Sequence, residues 1–163
     1  MIRPTRPSDA KALLALRLDN RAYLEPWEPD AEPRDRRYTL GYSREWVRRP
    51  NRYVIVDGGV VAGALSLSDV AYEAFWSAML GYWVAQAHAG RGLATRAVAE
   101  ALQIAFGELG LHRVEAGTRV ENVASQRVLE RNGFTRVGVL RAHLLIGGEW
   151  RDHFLYEKLA DDA

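Results

Sequence analysis

The chain has 163 residues, 48% hydrophobic and 26% charged, a make-up that predicts one soluble domain over residues 1–163 with room for a sizeable core. Twenty-two Lys and Arg against 21 Asp and Glu leave a formal charge of +1, so no bulk field calls for nucleic acid or an anionic membrane. Cysteine is absent, which excludes disulfides and thiol nucleophiles; no signal-peptide stretch and no apolar run near the ~20 residues that span a bilayer is present, so a cytoplasmic location is expected.

In chain order, Ser8 is placed to cap a helix running to about Asn20, whose apolar face holds Leu13, Leu14, Leu16 and Leu18. Glu25 to Arg37 is Pro-rich and charged and reads as an ordered loop, followed by a helix near Thr39 to Arg48. Arg52–Val56 and Val60–Leu65 flank Asp57-Gly58-Gly59, a strong hairpin signal, and a third strand is expected over about Phe75 to Val84. An alanine-rich amphipathic helix runs to about Leu109. A strand over Arg113–Thr118, a short helix from Asn122 to Asn132 ended by Gly133, and a hairpin of Phe134–Leu145 and Trp150–Lys158 about Gly147-Gly148 complete the chain. This order predicts a mixed α+β sandwich with a mostly antiparallel sheet in which one strand pair is parallel.

Between the third strand and the long helix stands Gly90-Arg91-Gly92-Leu93-Ala94-Thr95. Two glycines let the backbone approach an anion, and the first N–H groups and positive dipole end of a helix point at it, so a phosphorylated ligand is the expected occupant. A glycine pair is also an ordinary turn former. A dinucleotide fold is disfavoured, because the strands before the loop come as hairpins and the next strand ends at Arg119 rather than at an acid.

With the run Glu121-Asn122-Val123-Ala124-Ser125 through Gly133-Phe134, the chain resembles the GNAT acetyltransferases. Their loop pattern, (Arg/Gln)-x-x-Gly-x-(Gly/Ala), is matched by Gly92 and Ala94. Within that superfamily the chain is similar to the RimJ/RimL group of ribosomal-protein N-terminal acetyltransferases, through Asn20-Arg21, Leu24, Pro26-Trp27-Glu28-Pro29, Gly81-Tyr82-Trp83, Asn122-x-x-Ser125 and Gly148-Glu149-Trp150-Arg151-Asp152.

The resemblance implies a three-layer α/β/α sandwich and transfer of an acetyl group from acetyl-coenzyme A directly to a primary amine, foremost the α-amine of a protein. A small amine such as a polyamine or antibiotic is the alternative acceptor, and a non-catalytic acyl-coenzyme A sensor the alternative role. It implies pyrophosphate binding by Gly90, Arg91, Gly92, Leu93, Ala94 and Thr95, pantetheine pairing at Trp83 and Val84, coenzyme positioning by Asn122, and service to the leaving sulfur by Ser125. No metal is implied, His88, His112 and His153 having no ligand spacing; a homodimer stays open.

Two positions depart from the family pattern. Ala89 stands where the loop usually begins with Arg or Gln, with His88, Arg91 and Arg96 as substitutes; Leu129 stands where many members have a proton-donating Tyr. Asn122 and Ser125 also make sense structurally, as an N-cap and its N3 partner, and the two roles are compatible. Candidates for the base are Glu28, Glu73 and His143, or a water. An α-amine of pKa ~7.8 is roughly one-seventh neutral at pH 7, against about one in 2,500 for a lysine, so it needs little help. Trp27 is expected beside the acceptor, with Glu28 attracting a cationic amine, and most of the other four Trp in the core.

Overall fold

The computed structural model describes residues 1–162. A seven-stranded sheet in the order β1-β2-β3-β4-β5-β7-β6 carries helices on both faces, the three-layer sandwich expected. Its strands are β1 (Ile2–Pro4), β2 (Arg52–Asp57), β3 (Val60–Ala71), β4 (Ser77–Val84), β5 (Arg113–Arg119), β6 (Thr135–Ile146) and β7 (Glu149–Leu159). The helices are α1 (Asp9–Asp19), α2 (Arg21–Leu24), α3 (Leu40–Trp46), α4 (Leu93–Gln103) and α5 (Val123–Arg131). Every neighbouring pair is antiparallel except β4 with β5.

Local chemistry explains the boundaries that differ from expectation. Strand β1 escapes the sequence pattern because it is three residues long and ends in Pro4, tolerated at the sheet edge where a missing N–H costs nothing. Ser8 makes no capping bond; Asp9 closes the first turn instead, accepting from the Arg6 N–H at 2.7 Å and from both Arg3 amino groups at 2.8 Å. The Arg3 bond holds its carboxyl below the usual range. Strand β3 continues past Leu65 to Ala71, since Leu65 and Leu67 keep the period-two burial through serines that look turn-like. The helical run to Leu109 divides into α4 and a π-helical turn over Ile104–Glu108.

Two apolar layers fix the architecture. On one face Leu93, Ala97, Val98, Ala101 and Ala105 lay a stripe of mostly small side chains against Leu65, Leu67, Ala78, Leu80 and Val114, with Leu129 and Tyr156 joining from α5 and β7. On the other, Ala10 and Leu13 of α1 and Val47 pack on Val54 and Ala64. Alternation along β4 therefore assigns its last residues to opposite faces: Tyr82, opposite Leu65, to the α4/α5 face, and Trp83, opposite Ala64, to the α1/α3 face.

Candidate active site

The parallel pairing of β4 with β5 lasts for three residue pairs, Ser77 with Arg113 to Met79 with Glu115, and then stops. Beyond it the two strands part, leaving an opening between Leu80–Val84 and Ala116–Arg119. Ala85 donates to the Ala62 carbonyl of the β3 side at 2.8 Å, and main-chain bonding alternates along an antiparallel pair. Trp83 is thus bonded to Ala64, while Tyr82 and Val84 turn their N–H and C=O groups toward the opening. Of the two residues expected to pair with a pantetheine, Val84 is so placed; the Trp83 main chain is taken up by β3, and its ring lies on the far face 4.9 Å below the Arg17 guanidinium.

At the mouth of the opening, Gly90 (φ 74°) and Gly92 (φ 72°) adopt the left-handed conformation, Gly92 as the N-cap of α4. Among the described residues, the N–H groups of Gly90 through Thr95 find no protein acceptor. Nothing lies within 4 Å of a Cβ built at Gly90, so the ground above the loop is open. Six consecutive free amides at a helix start form a concave donor array suited to a diphosphate. Arg91 and His88 flank it, both held by Asp57 at the end of β2 at 2.7 and 2.8 Å, and Arg96 reaches the Arg91 carbonyl at 3.2 Å. The His88 bond, with Arg91 beside it, keeps the Asp57 carboxyl below its ordinary range. All three substitutes for the arginine absent at Ala89 are therefore at the loop.

Across the opening stands the start of α5. Asn122 caps it, its side-chain oxygen accepting from the Ser125 N–H at 3.1 Å, so the structural role of this pair is realised. The Ser125 hydroxyl is half-buried and lies 2.8 Å from the Tyr82 hydroxyl. Leu129 is fully buried in the core and has no polar function. Tyr82 is a site residue that the sequence reading missed; extending the strand alternation from Leu65 through β4 would have found it. Burial pushes its hydroxyl up to about 12, the Ser125 hydrogen bond pulling the other way.

The α1 side of the opening is built from long side chains. Glu28 is ion-paired with Arg17, the two side chains 17% and 12% exposed. Trp27, 39% exposed, lies 5.6 Å below the Arg119 guanidinium, which also donates to the Pro26 carbonyl. Asp30 clamps this loop to the last hairpin, accepting from Gly147 and Gly148 N–H groups at 2.8 and 2.9 Å. His143 is exposed and meets His153 edge-on, ring centroids 5.4 Å apart; His153 is buried, and desolvation lowers its pKa.

Glu73 does not belong here. It precedes β4 at the Ser77 end, about 23 Å by strand rise from Val84 and the donor loop that follows it, which argues against it as a base. The tryptophans also depart from expectation: Trp76 and Trp150 are 44% and 65% exposed, on the β3–β4 connection and the last hairpin, and only Trp46 and Trp83 pack against the core.

Among the described residues, no group of three or more His, Asp or Glu is arranged to hold a metal, and no helix is long and apolar enough to cross a membrane. Residues 1–135 match the family described as the acetyltransferase (GNAT) domain. The Bacillus subtilis protein named "Probable N-acetyltransferase YjcK" is 34% identical, the alignment covering 93% of this chain and 89% of that one. The ribosomal protein uS5 alanine N-acetyltransferase of Escherichia coli is 29% identical, with 95% and 84% covered. The structure of Mycobacterium smegmatis RimJ in complex with CoA-disulfide superposes with a TM-score of 0.90 at 36% identity, over 99% of this chain and 82% of that one. An opening between parted parallel strands, a donor loop at a helix start and these likenesses converge: the chain belongs to the GNAT acetyltransferase family and is a RimJ/RimL-like N-acetyltransferase.

Proposed function

We propose that this acetyltransferase takes its acetyl group from acetyl-coenzyme A and delivers it to the N-terminal α-amine of a protein. The observation that carries the coenzyme assignment is the run of six unpaired amides from Gly90 to Thr95, next to the unpaired main-chain edge of Tyr82 and Val84. The amides take the pyrophosphate. The extended pantetheine, itself rich in amides, pairs with the Val84 edge as an added strand, and an N–H of that edge meets the oxyanion formed when the amine adds to the thioester. Asn122 fixes the start of α5, and the Ser125 hydroxyl serves the leaving sulfur.

The amine arrives from the α1 side, where Trp27, Glu28, Arg119 and the last hairpin meet. Support for a protein acceptor comes from the relatives named for ribosomal-protein alanine acetylation and from the openness of this side, bounded by the exposed Trp27 and His143. Paired with Arg17, Glu28 keeps a carboxylate oxygen to attract an ammonium group. The neutral fraction of an α-amine then attacks and yields its proton to water, with His143 the side chain best exposed to share that task.

Incubation with acetyl-coenzyme A and short peptides bearing free N-terminal Ala or Ser tests the assignment, with thiol release as the readout and intact mass locating the acetyl group. Turnover confined to the α-amine is the expected result. Turnover of polyamines or aminoglycosides with none for any peptide would overturn it.

A further inference from the structure

Resting on the role given above to Ser125, we infer that Tyr82 is a positioning residue for acetyl transfer, holding the Ser125 hydroxyl from the opposite wall of the opening so that its hydrogen points at the leaving sulfur. The two hydroxyls come from opposite walls of the opening, above the apolar layer that Leu80 of β4 and Leu129 of α5 share. Tyr82 lies in the part of β4 that has left β5, and Ser125 stands in the first turn of α5; their hydroxyl oxygens are 2.8 Å apart, a contact in which either can donate, and the Tyr82 O–H also reaches the Ser125 carbonyl oxygen, an acceptor only, at 3.3 Å, so the phenolic hydrogen is drawn toward Ser125.

A serine hydroxyl has one hydrogen and two lone pairs. Its main-chain N–H is already committed to Asn122, which fixes the helix turn but leaves the side chain free to rotate about χ1. When Tyr82 donates across the 2.8 Å contact, one Ser125 lone pair is occupied and the Ser125 hydrogen is left for an acceptor that enters the opening, to which this half-buried residue stays accessible. A donated hydrogen bond also polarises the acceptor hydroxyl and strengthens the bond it makes in turn.

Tyr82 suits this task because it does not ionise in the working range: burial holds its hydroxyl protonated far above neutrality, so the donor is always loaded. The groups around it are Tyr156 of β7 and Ser125, with no carboxylate or cation in direct hydrogen bond to it. No proton leaves Tyr82 in this scheme. One residue thereby serves twice, its main chain facing the coenzyme and its side chain tying β4 to α5 on the face shared with Leu80 and Leu93.

The test is a double-mutant cycle of Tyr82→Phe and Ser125→Ala, with kcat and the KM for acetyl-coenzyme A measured on saturating peptide, and acetyl-coenzyme A affinity by calorimetry on each variant to show that the fold and the loop are intact. Tyr82→Phe removes a single oxygen and leaves ring and main chain. Its kcat should fall about tenfold with KM within about twofold, Ser125→Ala should fall at least as far, and the double variant should be no slower than Ser125→Ala alone. Ser125→Thr, which keeps a hydroxyl, should recover part of the loss only when Tyr82 is present.

A normal kcat for Tyr82→Phe beside an impaired Ser125→Ala overturns the positioning role and leaves the Ser125 assignment standing. Losses that multiply in the double variant overturn it as well, because Tyr82 would then act independently of Ser125. A normal kcat for Ser125→Ala rejects the Ser125 assignment itself. Should Tyr82→Phe lose coenzyme binding, Ser125→Thr decides: equal activity with and without the Tyr82 hydroxyl, measured per bound coenzyme, refutes the inference.

Discussion

The two sides of the opening are made of different material. The α4 side is main chain: six amides, two glycines in the left-handed conformation and the capped start of α5, with basic side chains only at the rim. The α1 side is side chain, an Arg17–Glu28 pair, an Arg119–Trp27 stack and a histidine pair, locked by Asp30 to a distant hairpin. Main-chain donors are placed by the fold and tolerate side-chain change, whereas each side chain on the other wall is held by its partner. The same small substitution should therefore matter far more on the α1 side.

The largest effect should come from Arg17→Met. It strands the Glu28 carboxylate in a site where only 17% of that side chain is exposed, and breaking such a pair costs about 3 kcal/mol. Chemical denaturation should show the loss, and adding Glu28→Gln should return much of it, because the uncompensated charge is gone. A neutral Arg17→Met would mean that the pair is as loose as a surface one and would break the contrast between the walls.

Gly63→Ala probes the main-chain wall by the one route that reaches it. A Cβ at Gly63 would sit 2.2 Å from the Trp83 carbonyl oxygen and 3.0 Å from the Val84 Cα, so β4 has to shift where its free edge faces the opening. Overpacking of this kind costs about 1–3 kcal/mol. Thermal melting should report it, and acetyl-coenzyme A affinity should fall with it. Loss of stability with full affinity would show that the β4 edge is not part of the coenzyme site.

How much of this could be seen in the sequence follows the same division. Gly90-x-Gly92, the Asn122 cap and the Gly133 helix end are short-range signals, since one residue's allowed φ or one side chain's reach to its own helix defines them. The single parallel pair also follows from the order of hairpins and helices. The sequence offers Glu28 as a carboxylate for a cationic amine, but its pairing with Arg17, eleven residues earlier, depends on how α1 and the loop pack. Tyr82 and Trp83 stand side by side in the chain and on opposite faces of the sheet, and only the register with Leu65 and Ala64 tells which one meets Ser125. Asp9 in place of Ser8 at the start of α1 is a tertiary substitution too, since Arg3 of β1 provides its partner.

A smaller effect distinguishes the walls by pH. His153 is packed against His143 of β6 and paired with Arg119 of β5, with Arg151 and Glu121 also near, and burial lowers its pKa. The unfolded chain then binds a proton more readily than the folded one, so stability is complete above the unfolded value of ~6.5 and declines as pH falls below it. The slope for one such group is at most about 1.4 kcal/mol per pH unit. Urea midpoints between pH 7.5 and 5.5 should show the decline, and His153→Gln should flatten it. An unchanged slope in the variant would place the titrating group elsewhere.

Arg91→Ala should do least. The guanidinium is 60% exposed and already shares the Asp57 carboxylate with His88, so its field at the loop is screened by solvent and partly cancelled by its own partner. If the six amides carry the diphosphate, acetyl-coenzyme A affinity should weaken by no more than about fivefold at 0.15 M salt, the range of an exposed ion pair. The loss should shrink further at higher salt. A drop of a hundredfold by calorimetry would mean that Arg91 has taken over the contact absent at Ala89, and the wall described as main chain would depend on a side chain after all.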